Sequence, residues 1–205
     1  APDGRIWVVN RDAASISIVS PSTLAVVQTV AMPAASQPFG IVIATDGTAW
    51  VSEQATGRIA RLSAAGARLA AADVGPHPRH LALDATASRL LVSRFITTAL
   101  PGESTAVVQT SVNGAPRGGE LLVLDAASLA VQRTVVLTHS EKSDTTAQGR
   151  GVPNYLGAPA LAPDGASAWI PGKQDNIKRG RLRDGRDLDF QNTVRAITSR
   201  VNLTT

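Results

Sequence analysis

One short phrase recurs in this chain, as Ala1-Pro-Asp-Gly-Arg-Ile-Trp-Val-Val9, Ala44-Thr-Asp-Gly-Thr-Ala-Trp-Val-Ser52 and Ala162-Pro-Asp-Gly-Ala-Ser-Ala-Trp-Ile170. In every copy the Asp-Gly pair supplies the positive backbone angle that a tight hairpin needs, and an aromatic-aliphatic run suited to a strand follows it. The phrase therefore predicts a β-hairpin used as a module. A chain that repeats itself folds into similar units, and each unit must cover its apolar faces with its neighbours.

The repeat extends well beyond the phrase. Residues 5–9, 15–19 and 24–30 alternate apolar and polar side chains between Asn, Asp, Ser and Pro, which predicts three short antiparallel strands. Residues 39–44 form a fourth, nearly all apolar strand, the pattern of a strand covered on both faces. The cycle then returns at a shift of 43, with Trp7 becoming Trp50, Ile16 becoming Ile59 and Ser20 becoming Ser63. Its strands fall at 48–52, 58–62, 68–73 and 79–83. A third cycle opens at 89–93, where Leu91 stands 41 residues after Trp50. Its turn reads Asp84-Ala-Thr-Ala87 in place of Asp-Gly, which predicts a longer turn. Residues 97–117, rich in Gly, Pro, Ser and Thr, interrupt this cycle as a loop insertion, and 119–125 resumes it. Residues 128–135 echo 23–30 closely enough to set the register across the interruption. A second polar insertion, 139–154, precedes a strand at 157–162; the fourth cycle holds 167–170, a basic connector and 194–203.

Four strands in roughly 40 residues is the signature of a β-propeller blade. The expected fold is all-β: a propeller of four-stranded antiparallel blades, just under four of them, forming a single domain over 1–205. A closed ring has about four to eight blades. Because the pattern starts and stops inside a cycle, part of a larger ring is the favoured reading over a minimal closed one. Terminal blades of such a segment would expose apolar faces and strand edges that call for a partner, either the remainder of the propeller or another protein chain.

Composition narrows the function. There is no Cys, so no disulfide, thiolate metal site or covalent c-type haem motif can form within these residues. No run of 18 apolar residues is present, which excludes membrane insertion by a helix. Lys and Arg exceed Asp and Glu by 20 to 16, and Lys173, Lys178, Arg179, Arg181, Arg183 and Arg186 crowd one stretch. That stretch has neither an aromatic residue to stack a base nor a helical period, so it reads as a solvated loop, and nucleic acid is not an expected partner.

Pro38-Phe-Gly-Ile-Val-Ile-Ala-Thr-Asp-Gly-Thr-Ala-Trp-Val-Ser52, followed by Arg58-Ile-Ala-Arg-Leu62, resembles the YVTN-type β-propeller repeat of bacterial and archaeal surface and periplasmic proteins. Trp7-Val-Val-Asn10, Ile16-Ser-Ile-Val19 and Leu122-Val-Leu-Asp125 fit the same pattern. The third cycle departs from it by lacking Asp-Gly and carrying insertions. Residues 150–165 with 173–180 are similar to YVTN propellers of larger exported proteins that carry c-type cytochrome or di-haem-peroxidase-like modules. The resemblance implies a periplasmic or extracellular location. It implies no cofactor in this chain, since Cys-x-x-Cys-His is absent; any haem would lie on an associated module.

In a propeller, the connection from one blade's outer strand to the next blade's inner strand passes over the channel mouth, where small molecules bind. Three such connections bring forward Gln37-Pro38-Phe39, His77-Pro78-Arg79-His80 and Pro153-Asn154-Tyr155. The candidate ligand site is therefore Phe39, His77, Arg79, His80, Asn154 and Tyr155. Arg79 and His80 would receive an acidic ligand, with Asn154 and Tyr155 as further donors; a structural bond from Arg79 to a backbone carbonyl is the plainer alternative. His77 with His80, or His139 near Glu141 and Asp144, lack a third ligand fixed by spacing, so ordinary hydrogen-bonded histidines are expected and no metal site is assigned. No nucleophile elbow, phosphate-cradling glycine loop or His-Glu-x-x-His occurs, and no catalytic residue is assigned. The expected function is a non-enzymatic exported scaffold for protein or ligand binding, as a segment of a larger redox-associated protein. The alternative is a propeller enzyme, a lactonase-like hydrolase or a haem-associated oxidoreductase, with its site at the channel mouth.

Overall fold

The computed structural model describes residues 1–97, 111–116, 118–143, 145, 148–175 and 193–204. The chain forms two compact units, Ala1–Ser93 with Leu122–Arg133, and Arg94–Leu121 with Thr134–Thr205. Strands β1 (Ile6–Asn10), β2 (Ser15–Val19) and β3 (Val26–Ala31) make the first sheet in that order. A second sheet runs β4 (Pro38–Ile43), β5 (Ala49–Glu53), β6 (Arg58–Leu62) and β7 (Arg68–Asp73). The third sheet orders β8 (Pro78–Leu83), β9 (Arg89–Arg94), β12 (Gly119–Asp125) and β13 (Val131–Leu137), with the small hairpin β10 (Ser111–Val112) and β11 (Ala115–Pro116) inserted between β9 and β12. The last sheet holds β14 (Ser140–Glu141), β15 (Arg150–Asn154), β16 (Ala160–Leu161), β17 (Ser167–Asp175) and β18 (Val194–Asn202). The chain is thus an all-β protein of antiparallel sheets, and the second and third have the four strands of propeller blades.

The turns that open each cycle behave as the repeated phrase requires. Gly4, Gly47 and Gly165 all lie at positive φ, between 66° and 86°, and each N–H returns to the carbonyl three residues back, on Ala1, Ala44 and Ala162. The preceding aspartate locks the turn: Asp46 Oδ1 accepts from Thr48 N at 2.8 Å, Asp3 from Arg5 N at 3.0 Å and Asp164 from Ala166 N at 2.9 Å.

The third turn solves the same problem differently. Ala87 takes the left-handed place at φ 54°, and Asp84 N bonds to Arg89 O where Ala44 N bonds to Thr48 O, one residue nearer. The buried Asp84 carboxylate gathers Ser88 N and Oγ, Arg89 N and Nε, and Thr86 Oγ1, all within 2.8–3.2 Å. Burial alone would raise its pKa. The hydrogen bonds from Arg89 and Ser88 outweigh that and lower it from 3.8 to about 2. A depressed carboxylate stabilises the fold above its unfolded pKa and loses that contribution as pH falls through its folded pKa. Asp84→Asn is therefore expected to cost about 2 kcal/mol at neutral pH. The difference from wild type should close between about pH 4 and pH 2, as measured by denaturant unfolding at stepped pH. A pH-independent difference would refute the assignment.

Two cores follow from the alternation. Trp7, Ile16 and Ile18 of the first sheet pack with Ala49, Val51, Ala60 and Leu62 of the second. The other face of the second sheet, with Trp50 and Ile59, packs with Leu90, Val92, Leu122, Leu124 and Leu129 of the third. Trp50 Nε1 donates to the Ala126 carbonyl at 2.8 Å, clamping the second sheet to the outer turn of the third.

The structure also revises some boundaries. The strand expected at 157–162 shortens to Ala160–Leu161, and the expected loop at 139–154 contains β14 and β15. Gly157 N reaches the Pro171 carbonyl at 2.7 Å, outside any strand ladder, while β15 pairs with the far end of β17. Most of the 97–117 insertion and of the basic stretch at 173–186 lies outside the described residues.

Candidate functional site

In the first unit, the expected site residues meet at one end of the second and third sheets. Pro38 pairs with Glu53 and Ile41 with Val51, so Phe39 and Gly40 together oppose Ser52 alone. Such an insertion bends a strand and re-aims a side chain. Phe39 is accordingly turned beside β8, where its ring meets His80 edge-on at 5.2 Å between centroids. The Arg79 guanidinium carbon stands 3.9 Å from the Phe39 ring centroid, a cation on the electron-rich face of an aromatic ring. Ser52 Oγ accepts from Gly40 N at 2.8 Å and donates to the Arg79 carbonyl at 2.7 Å, so the backbone under Arg79 is fixed by its neighbour strand.

Arg11, at the turn between β1 and β2, joins this group. Its Nη2 donates to Gln37 Oε1 at 2.7 Å and its Nη1 to Asp12 at 3.0 Å. Burial lowers the pKa of Arg79, and the positive charge of Arg11 lowers it further. His80 falls below 6.5 through burial, helped by the charge of Arg79. At neutral pH the corner thus offers arginine cations, an aromatic floor and a neutral imidazole that can donate or accept. That set suits a carboxylate-bearing or otherwise anionic ligand.

Gln37 and His77 precede Pro38 and Pro78 at equivalent places, and both adopt left-handed backbone, at φ 48° and 55°. Tyr155 occupies the corresponding corner of the second unit at φ 46°. Positive φ is uncommon for side chains of this size. The sequence offers Gln, His and Tyr there with no Gly to betray the geometry.

Asn154 and Tyr155 sit in the second unit with partners of their own. Asn154 Oδ1 accepts from Thr97 N at 2.8 Å and Tyr155 N at 3.0 Å, and its Nδ2 donates to Asp175 Oδ2 at 2.8 Å. Tyr155 is exposed; Phe95 meets it edge-on at 4.7 Å and Lys173 Nζ lies 3.8 Å from its ring centroid. Lys173 is also paired with Asp175 at 2.9 Å. Asn154 therefore braces the loop, and Tyr155 carries the exposed chemistry. Arg11 and Phe95 carry no signal in the sequence that sets them apart, and Lys173 reads only as one of a run of basic residues; tertiary proximity alone brings them in. Among the described residues no group of three or more His, Cys, Asp or Glu could hold a metal ion, and no helix is long and apolar enough to cross a membrane.

These sheets and their corner clusters define an all-β, propeller-type protein. The solved structure of Kuenenia stuttgartiensis hydrazine synthase is similar at a TM-score of 0.55 and 12% identity, over 100% of this chain and 61% of that chain. The dihydro-heme d1 dehydrogenase NirN, solved in complex with DHE, aligns at a TM-score of 0.48 and 16% identity, over 92% of this chain and 44% of that one. Likeness at such identity concerns the fold. The chain thus spans less than two thirds of the length of either. No protein-family model matches the sequence, and no curated protein matches it.

Proposed function

We propose that this chain is a non-enzymatic, exported scaffold of YVTN type, a segment of a larger β-propeller that binds an acidic ligand at the corner made by Phe39, Arg79 and His80. The carrying observation is the Arg79 guanidinium laid on Phe39 at 3.9 Å with Arg11 near enough to depress it. A guanidinium held against an aromatic ring is the kind of group that meets a carboxylate in a bidentate fork. His80 supplies a neutral donor, and His77 and Gln37 border the corner. In the second unit Asn154 and Tyr155 form a polar edge with Lys173. The resemblance to propellers of exported proteins with cytochrome modules supports a periplasmic or extracellular location. It also supports a redox module nearby, with haem on that module and none on this chain.

Titration calorimetry with succinate and citrate as probes tests the corner. Arg79→Ala is expected to weaken binding by at least about tenfold, with Arg79→Lys recovering part of it. Affinity should fall as salt is raised. Equal affinity in a folded Arg79→Ala variant would remove Arg79 from the site.

A further inference from the structure

The first three sheets share a rule about which face meets which. Ala49, Val51, Ala60 and Leu62 point from the second sheet toward the first, and all are buried. Leu90, Val92, Leu122, Leu124 and Leu129 point from the third sheet toward the second, and all are buried too. The same positions in the first sheet are Ile6, Val8, Ser17, Val19 and Leu24. Ile6 pairs with Val19 and Val8 with Ser17, which places these four on one face. Ile6 is 49% exposed, Val8 42% and Leu24 81%.

Leu24 is the sharpest case, because its twin shows what it is shaped for. Leu24 and Leu129 both adopt left-handed backbone, at φ 54° and 63°. Each N–H returns to the carbonyl four residues back, on Ser20 and Asp125, at 2.9 Å. Leu129 uses this geometry to fill the second sheet's apolar face and is 1% exposed. A leucine held in unfavourable backbone with nothing to fill is a cost without a return among the described residues.

The rule also states the chemistry of the missing neighbour. Each buried face of this kind meets a face bearing a tryptophan, Trp7 over the second sheet and Trp50 over the third. The first carbonyl of the outer turn takes a donor from that neighbour: Ala126 from Trp50 Nε1, and Ala64 from Arg5 Nη2 at 3.1 Å. Pro21 is the equivalent carbonyl of the first sheet. A second copy pairing like face with like would present neither an indole nor a donor there.

We infer that the face formed by Ile6, Val8, Val19 and Leu24 is the docking surface for one further antiparallel sheet of this same repeat, lying outside residues 1–205. That sheet sets a tryptophan or arginine donor on the Pro21 carbonyl. The inference rests on the larger-propeller reading given above, but not on the Arg79 ligand.

Because residues 1–205 contain no cysteine, Leu24→Cys adds the one thiol of this stretch, and its labelling is read at its own peptide by mass spectrometry. Its maleimide labelling is to be compared between the 205-residue chain and the polypeptide as its native gene encodes it, with Leu129→Cys as a buried control. The expected result is rapid labelling of Leu24→Cys in the short chain and labelling slower by at least about tenfold in the native product, with Leu129→Cys slow in both. Equal rates for Leu24→Cys in the two proteins would overturn the inference. Protection in the short chain that grows with concentration alongside a dimer mass would also overturn it, in favour of a second copy. Rapid labelling of Leu129→Cys in a folded protein would instead remove the propeller reading. Loss of succinate binding in Arg79→Ala is independent of all three.

Discussion

Arg68→Met is expected to destabilise the protein by about 3 kcal/mol, although the position lies at the surface. The reason is Glu53 at the end of β5, whose side chain is fully buried. Arg68 reaches in from β7 and holds Glu53 Oε1 at 2.6 Å through Nη1, while Thr56 Oγ1 approaches Oε2 at the longer distance of 3.4 Å. Without the arginine, a carboxylate stays in the second sheet with one weak hydroxyl contact. An uncompensated buried charge costs about 3–5 kcal/mol, and the partial exposure of Arg68 favours the lower end. Glu53→Gln combined with Arg68→Met should recover much of the loss, because a neutral amide is far cheaper to bury than a carboxylate. Urea unfolding of the single and double variants measures the coupling. A double variant no better than Arg68→Met alone would show that the loss comes from Arg68 packing.

Gly40→Ala is expected to have a comparable effect, about 3 kcal/mol, and to disturb the ligand corner as well. A Cβ at this position would collide with the Arg79 carbonyl oxygen and press on Ser52 Oγ at 3.2 Å. Neither is the movable end of a long side chain. The carbonyl belongs to β8, and Ser52 Oγ already bridges Gly40 N to that same oxygen. To admit a methyl group β4 and β8 must part, and Arg79 then leaves the Phe39 ring. Chemical denaturation should show the lost stability, and succinate titration of the folded fraction should show weaker binding. Wild-type values for both would mean that the strands yield without cost.

Much of this was legible in the residues. The Asp-Gly turns, the shift of 43 between Trp7 and Trp50, and the echo of 23–30 in 128–135 all reappear as equivalent backbone. Local chemistry explains that success, since a positive φ at glycine and an aspartate reaching two residues ahead are decided within four residues. The longer third turn also follows from its residues, although its use of a buried Asp84 does not. The 139–154 stretch reads as loop in the sequence because β15 gains its hydrogen bonds from β17, about twenty residues on, and its own residues, Arg-Gly-Val-Pro-Asn, have no alternation to announce a strand. Of the candidate site, the connections before β4 and β8 were visible. The bulge that turns Phe39 toward Arg79, and the reach of Arg11 to Gln37, were not.

Repeated antiparallel strands, the places where the hairpins turn and the apolar face of each strand are written into the order of the residues. Those properties depend on side-chain alternation and on turn residues, which act over a few neighbours. Packing sets the rest: Arg79 lies on Phe39, Glu53 is buried against Arg68, and Leu24 stands in solvent while Leu129 fills a core. Each of those outcomes depends on which sheet lies alongside, a relation between residues far apart in the chain that no local pattern encodes.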